Sequence, residues 1–277
     1  MHGRARTALV TGASSGIGLE LCRLLARDGA RVVMVARDEE RLQRAARWVQ
    51  AEHPGTGLTL LAADLARPGA AASLLARVER EVDPIDFLAN NAGVGSSGPF
   101  AASDPAQVAG LIQLNVVSLV ELTHLLLPGL LARRKGIILN VASMAAFLPG
   151  PLMAVYYASK AFVLSFSEAL AEEVQGSGVS VTALCPGPTM TGFQKRAGIE
   201  RARLLRGPLA LQAGPVAAAA YHGAIEGRRL VIPGMANKAM VQALRAMPRS
   251  LVSQMARRAN EAAPVGPPLQ GGQGGEA

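Results

Sequence analysis

Tyr156 and Lys160 stand four residues apart in Val155-Tyr156-Tyr157-Ala158-Ser159-Lys160, and Ser143 lies thirteen residues before the tyrosine. On a helix this spacing puts the phenol and the ammonium on one face, one turn apart. Such a pair suits acid–base chemistry on an alcohol or a carbonyl. A free tyrosine titrates near ~10 and seldom exchanges a proton near neutrality, whereas a fixed positive charge beside it favours the phenolate. The Ser143 hydroxyl would then hold the substrate oxygen that exchanges the proton. Tyr-x-x-x-Lys alone is common on helix surfaces, so its meaning depends on the elements that position it.

Those elements alternate strand and helix with little spare loop. Thr7–Val10 reads as a strand, Ile17–Asp28 as a helix stopped by Gly29, and the apolar run Val32–Ala36 as a strand covered on both faces. Helix Glu39–Glu52, strand Leu58–Ala62, helix Ala70–Glu81 and strand Ile85–Ala89 follow. A long helix is expected from about Pro105 into Leu125–Leu131, bent or ended by Pro128. Strand Gly136–Ala142, helix Ala154–Gln175, strand Val179–Leu184, helix Val216–Glu226 and strand Arg229–Ile232 complete the pattern. It predicts one α/β domain over residues 1–234, a Rossmann-type doubly wound parallel sheet of about seven strands with helices on both faces.

Three segments stand apart. Residues 188–214 are irregular and arginine-rich, as expected of a lid over substrate. Residues 235–261 read as a basic, amphipathic helical extension. Met240, Leu244, Met247, Leu251 and Met255 form its apolar stripe, Arg245, Arg249, Arg257 and Arg258 lie between them, and Pro248 interrupts it. Residues 262–277, rich in Pro, Gly and Gln, are expected to be disordered.

The 277 residues suffice for a large core without metal or disulfide, and half of them are hydrophobic. Cys22 and Cys185 form no ligand spacing or disulfide framework, and His2, His53, His124 and His222 are scattered. Residues 1–190 balance 16 basic against 16 acidic side chains, while residues 191–277 hold 12 against 4, so the whole +8 excess lies in the last third. A neutral body with a basic end argues against nucleic acid as partner. With no leader and no apolar run of about 18 residues, a cytoplasmic protein is expected. The extension would either pack on protein or lie peripherally on an anionic membrane surface, with packing favoured.

Thr11-Gly12-Ala13-Ser14-Ser15-Gly16-Ile17-Gly18 links the first strand to the first helix. Glycines there let backbone approach a pyrophosphate, which the helix N-terminus attracts. The second strand ends in Ala36-Arg37-Asp38, where an acid would bind the ribose of NAD and an arginine the 2′-phosphate of NADP. Asp38 could supply that acid, but it also suits the N-cap of the next helix, so NADP(H) is favoured over NAD(H).

With these motifs in order, the chain resembles the short-chain dehydrogenase/reductase family over roughly residues 6–234. The motifs are Thr11–Gly18, Asp64-Leu65, Asn90-Asn91-Ala92-Gly93, Asn115, Ser143, Tyr156-x-x-x-Lys160 and Pro186-Gly187. The resemblance implies that Gly12, Ser14, Ser15, Gly16, Ile17 and Gly18 form the pyrophosphate loop and that Asp64, with Leu65 alongside, bonds the adenine. Asn90 would line the cofactor cleft, while Asn91, Ala92 and Gly93 would mainly stabilise the strand end beside the cofactor. Asn115 would hold a water in a proton relay to Lys160. Tyr156 would be the general acid or base, Ser143 the substrate-oxygen donor, and Lys160 the ribose ligand. Pro186, Gly187, Thr189 and Thr191 would sit against the nicotinamide and its neighbours, although Pro188 departs from the family's usual residue. Tyr157, off the lysine spacing, reads as packing.

The activity so implied is an NADP(H)-dependent oxidoreductase interconverting a carbonyl and an alcohol. Met144, Phe147, Leu148, Met153, Met190 and Phe193 flank the site, which suits a lipophilic substrate or ordinary packing equally. The alternative is a non-catalytic dinucleotide-binding regulator on the same fold. Homo-oligomerisation through the helix at Ala154–Gln175 is a further family expectation.

Overall fold

Strand β1 (Thr7–Thr11) is buried along its whole length, because it lies at the centre of a sheet covered on both faces. It pairs in parallel with β2 (Arg31–Ala36) on one side and β4 (Phe87–Asn90) on the other. With β3 (Leu58–Ala62), β5 (Gly136–Val141), β6 (Val179–Leu184) and β9 (Leu230–Val231), the order is β3-β2-β1-β4-β5-β6-β9, all parallel. This is the expected Rossmann-type sheet, and its order reverses between β1 and β4. A ligand cleft opens beyond the strand ends at such a switch point. The computed structural model describes residues 7–193, 197 and 210–261. The lid expected over 188–214 therefore lies partly, and the disordered tail expected over 262–277 wholly, outside the described residues.

Alternate residues of β1 feed the two halves of the core. Ala8 and Val10 pack with α1 (Gly16–Arg27), α2 (Glu39–Glu52) and α7 (Ala213–Ile225), whereas Leu9 packs with α3 (Ala70–Glu81), α5 (Ser118–Ala132) and α6 (Ala154–Glu173). A short parallel pair, β7 (Thr189–Met190) with β8 (Leu211–Gln212), stands outside the main sheet.

The long helix expected from Pro105 departs from regularity at a different residue from the one anticipated. Helix α4 (Pro105–Ile112) runs into a π turn at Gln113–Val117 and then into α5, within which Pro128 sits. The carbonyl that loses its N–H partner to Pro128 is that of His124, an exposed residue, so the proline falls on the outer side of the helix. By length and composition the whole stretch Pro105–Ala132 could cross a membrane. Here it packs one side beside α3, α6 and β5, with 33% of its most apolar window buried.

The extension folds as α8 (Met235–Ala246) and α9 (Arg249–Asn260), and it packs on the domain. The expected stripe does not run through both helices. Val241 and Leu244 of α8 are buried, but in α9 the buried positions are Val252, Ala256 and Asn260, while Leu251 and Met255 are exposed. Met247 and Pro248 are extended, so the second helix starts on a new axis and the four-three periodicity loses its phase.

Candidate active site

The turn after β1 is shaped for a close approach. Gly12 has φ +66°, and a Cβ on Gly18 would lie 2.4 Å from the Gly12 carbonyl oxygen and 2.4 Å from Asn91 Nδ2. The Asn91 amide donates to Thr11 O at 2.8 Å and to Gly12 O at 3.3 Å. Thr11 Oγ1 accepts from Asn91 N and Ala92 N, both at 3.0 Å, and donates to Ala89 O at 3.2 Å. The ends of β1 and β4 are thus bolted together beneath the start of α1. Thr191 closes over the loop from the far side, its Cγ2 2.8 Å from where a Cβ on Gly16 would stand. Bare backbone at a helix N-terminus is the cradle a pyrophosphate requires, so these residues fit a dinucleotide.

A cavity of about 280 Å³ runs from this loop to the catalytic pair. Of the residues singled out in the sequence, Gly12, Ser15, Gly16, Ile17, Asn91, Ala92, Gly93, Ser143, Tyr156, Lys160, Pro186, Gly187, Thr189 and Thr191 line it. Ser14, Gly18, Arg37, Asp64, Leu65 and Asn115 do not. Gly18 is beneath the loop, and Arg37 is exposed at the end of β2. Asp38 caps α2, its Oδ1 accepting from Arg41 N at 2.9 Å. Asp64 turns to its own loop, accepting from Ala66 N at 3.2 Å and lying 3.7 Å from Arg67, while Leu65 is buried.

One asparagine reading changes. Asn90 does not line the cleft: it is buried and donates to Thr123 Oγ1 at 3.0 Å and to Asn140 Oδ1 at 2.9 Å. Its neighbour Asn91 faces the cleft, because successive strand residues point to opposite faces. Asn115, carried by the π turn, has both ends of its amide engaged. Its Oδ1 accepts from Val94 N at 2.9 Å, and its Nδ2 donates to Val94 O at 2.9 Å and Ser159 Oγ at 3.1 Å. It clamps the loop after Gly93 to α6, and Gly93 lies against both Asn115 Oδ1 and Lys160 Nζ.

At the other end of the cavity Ser143 is held by its surroundings. Met144 N donates to Pro186 O at 2.9 Å, and Ser143 Oγ accepts from Ala145 N at 3.1 Å. Burial pushes the Tyr156 phenol up to about 12, offset by its hydrogen bond with the Ser143 hydroxyl. Lys160 is pulled down to about 8, chiefly by burial. Its ammonium donates to Val141 O at 2.7 Å and sits 6.0 Å from the centre of the Tyr156 ring. Burial, rather than the lysine, sets the direction of the tyrosine's shift in this structure.

Some lining residues carried no sequence signal of function. Ala256 and Ala259 of α9 reach the cavity, as does Tyr157. Tyr157 Oη donates to Asn260 Oδ1 at 2.9 Å, and Asn260 Nδ2 donates to Pro151 O at 3.0 Å. The four-residue steps Val252, Ala256 and Asn260 were the available clue, but Ala and Asn do not register as an apolar stripe.

A glycine cradle at the switch point of a parallel sheet thus leads to a serine, a tyrosine and a lysine in one cavity. The short chain dehydrogenase family matches residues 6–202, and the chain belongs to that family. A short chain dehydrogenase of Pseudocercospora fijiensis is 37% identical over 187 residues, covering 66% of this chain and 60% of the relative. A very-long-chain 3-oxoacyl-CoA reductase of Mycosarcoma maydis is 35% identical over 192 residues, covering 65% and 52%. The matched part thus spans between half and two thirds of these curated relatives. Among solved structures, a short-chain dehydrogenase from Sphingobium yanoikuyae in complex with NADPH is 35% identical. It has a TM-score of 0.77, with 93% of this chain and 98% of that one covered.

Proposed function

We propose that the protein is an NADP(H)-dependent oxidoreductase that interconverts a lipophilic carbonyl compound and its alcohol, with Tyr156 as general acid and base. The observation that carries this reading is the convergence of Ser143, Tyr156 and Lys160 on the cavity that begins at the glycine loop. The nicotinamide, when bound, supplies the hydride chemistry. Ser143 and Tyr156 hold the substrate oxygen as charge develops on it, and a phenol kept protonated by burial is the donor that reduction needs. Lys160, buried beside Gly93 and the Asn115 clamp, supplies the cation that stabilises the phenolate left after that transfer. A relay from Lys160 to solvent past Asn115 would run along the backbone, since the side-chain amide is already engaged.

The lining supports a lipophilic substrate, with Met144, Leu148, Met153 and Phe193 around the catalytic groups. The Mycosarcoma maydis relative acts, by its name, on very-long-chain 3-oxoacyl-CoA, which makes 3-oxoacyl thioesters a natural class to assay. Replacing Tyr156 with Phe should reduce NADPH-dependent carbonyl turnover at least a thousandfold while leaving NADPH affinity within a few-fold. Undiminished turnover in that variant would sink the mechanism.

Preference for NADP(H) is supported by Arg37, exposed at the end of β2, and by Asp38, which is occupied as a helix cap rather than offered to a ribose. Arg37→Ala should raise KM for NADPH by about tenfold, the ~1.4 kcal/mol of one charge-assisted hydrogen bond, with KM for NADH little changed. Equal losses with both nucleotides would remove Arg37 from this role.

A further inference from the structure

We infer that helix α9 is a wall of the substrate pocket and that Asn260 is the positioning residue that holds it there, so that the size of carbonyl compound accepted is set by this helix. The inference rests on the oxidoreductase reading for what the pocket accepts, and on geometry alone for the wall itself. Asn260 is 6% exposed, and its amide is used at both ends. Its oxygen receives the Tyr157 hydroxyl at 2.9 Å and its nitrogen donates to Pro151 O at 3.0 Å. One side chain thereby ties the end of α9 to the first turn of α6 and to the loop that precedes it.

Tyr157 is the part of this latch that reaches the chemistry. Its ring lies against Gly150, where a Cβ would come within 2.1 Å of the ring carbon Cγ, and it meets the Tyr156 ring edge-on at 6.0 Å between centres. Gly150 leaves room for that ring, and Asn260 fixes its hydroxyl, so Tyr157 has little freedom. On its other side Tyr157, together with Leu148, borders a second hollow, between α6 and the α8–α9 hinge, lined by Leu244, Met247 and Val252. Leu148 and Tyr157 are therefore the partition between two hollows, and Asn260 holds one leaf of it.

The residues of α9 that face the catalytic cavity are Ala256 and Ala259, one turn apart. A helix that only covered the domain would turn its large apolar side chains inward. Here Leu251 and Met255 are 45% and 40% exposed, and methyl groups face the cavity. Small side chains at these two positions leave volume for a ligand, and a larger one at either would take that volume from it.

The test uses the full-length protein and three variants, with acetophenone as the small ketone and benzophenone as the bulky one. Binding to the NADPH-loaded protein is measured in the Tyr156→Phe background, where no turnover interferes, and turnover is measured in the wild-type background. Ala259→Phe should lower the affinity ratio of bulky over small ketone at least tenfold with the NADPH Kd unchanged. Asn260→Leu, similar in shape but unable to bond, should shift that ratio the opposite way. It should also speed amide hydrogen exchange across residues 249–260. Asn260→Asp, which keeps the acceptor for Tyr157, should recover part of the wild-type ratio. If Ala259→Phe changes both ketones equally, or Asn260→Leu leaves both selectivity and exchange as they were, the wall is refuted. If the ratios move as expected while the wild type reduces no carbonyl compound, the wall stands and the oxidoreductase reading fails.

Discussion

Lys160 is buried to 5% exposure, and its amine is pulled from an ordinary 10.5 to about 8. The sign of the consequence for stability follows from proton counting. Between about pH 8 and 10.5 the unfolded chain holds a proton on this lysine that the folded chain has released, so stability rises with pH across that window. Below pH 8 both forms are charged, and the folded state carries the full cost of burial, on the order of 3 kcal/mol. Lys160→Met should therefore raise stability at pH 7, and the gain should shrink by pH 9.5, as read from urea unfolding at both values. A pH-independent difference would show that the ammonium is not desolvated. At this scale the sequence was legible where residue type dictates chemistry, as with Ser143, Tyr156 and Lys160. It was not legible where neighbours decide. Whether Asn90 or Asn91 faces the cleft depends on strand register, and the direction of the tyrosine's shift depends on burial.

Elements were read most faithfully where periodicity and end signals agree. Helix α2 begins after the Asp38 cap, and its bounds match those expected. The π turn at Gln113–Val117 left no trace, since it inserts one residue into an otherwise helical pattern without any residue that forbids helix. The α8–α9 stripe misled because Pro248 resets the axis, after which small and polar residues are buried. The glycine loop was legible as a motif, and the structure shows which position tolerates least. Gly18→Ala would drive a methyl group into the Gly12 carbonyl, a backbone atom that cannot swing aside. The expected cost is ~1–3 kcal/mol of stability. Thermal unfolding should show both that loss and the disappearance of the extra stabilisation that saturating NADPH gives the wild type. A variant still stabilised by NADPH to the wild-type extent would contradict the cradle.

The whole molecule presents apolar surface on its outer helices. Phe162 of α6 is 45% exposed and stacks on Phe166 at 6.1 Å, while Leu125 of α5 is 47% exposed. Apolar surface of this kind would be covered if two copies met through these helices. We expect a homo-oligomer that the pair of substitutions Phe162→Glu and Leu125→Glu converts to monomer, as seen by light scattering on a sizing column. A wild-type monomer would dismiss the idea. The basic balance of residues 191–277 was countable from the sequence, but its arrangement was not. Arg229 meets Glu172 of the neutral body, whereas Arg257 lies near Glu261, an acid already counted in that balance.

The bond from Asn91 to Thr11 joins residues eighty positions apart. Until β4 has docked beside β1, the loop after β1 lacks the bonds from Asn91 that complete its curvature, although Ala13 N can already reach Val35 O of β2 and every residue of its motif is in place. Closing so large a loop is slow relative to forming the helices within it. A refolding chain should therefore show most of its helical signal before it can capture any nucleotide, and the onset of nucleotide capture would time the meeting of those two strands.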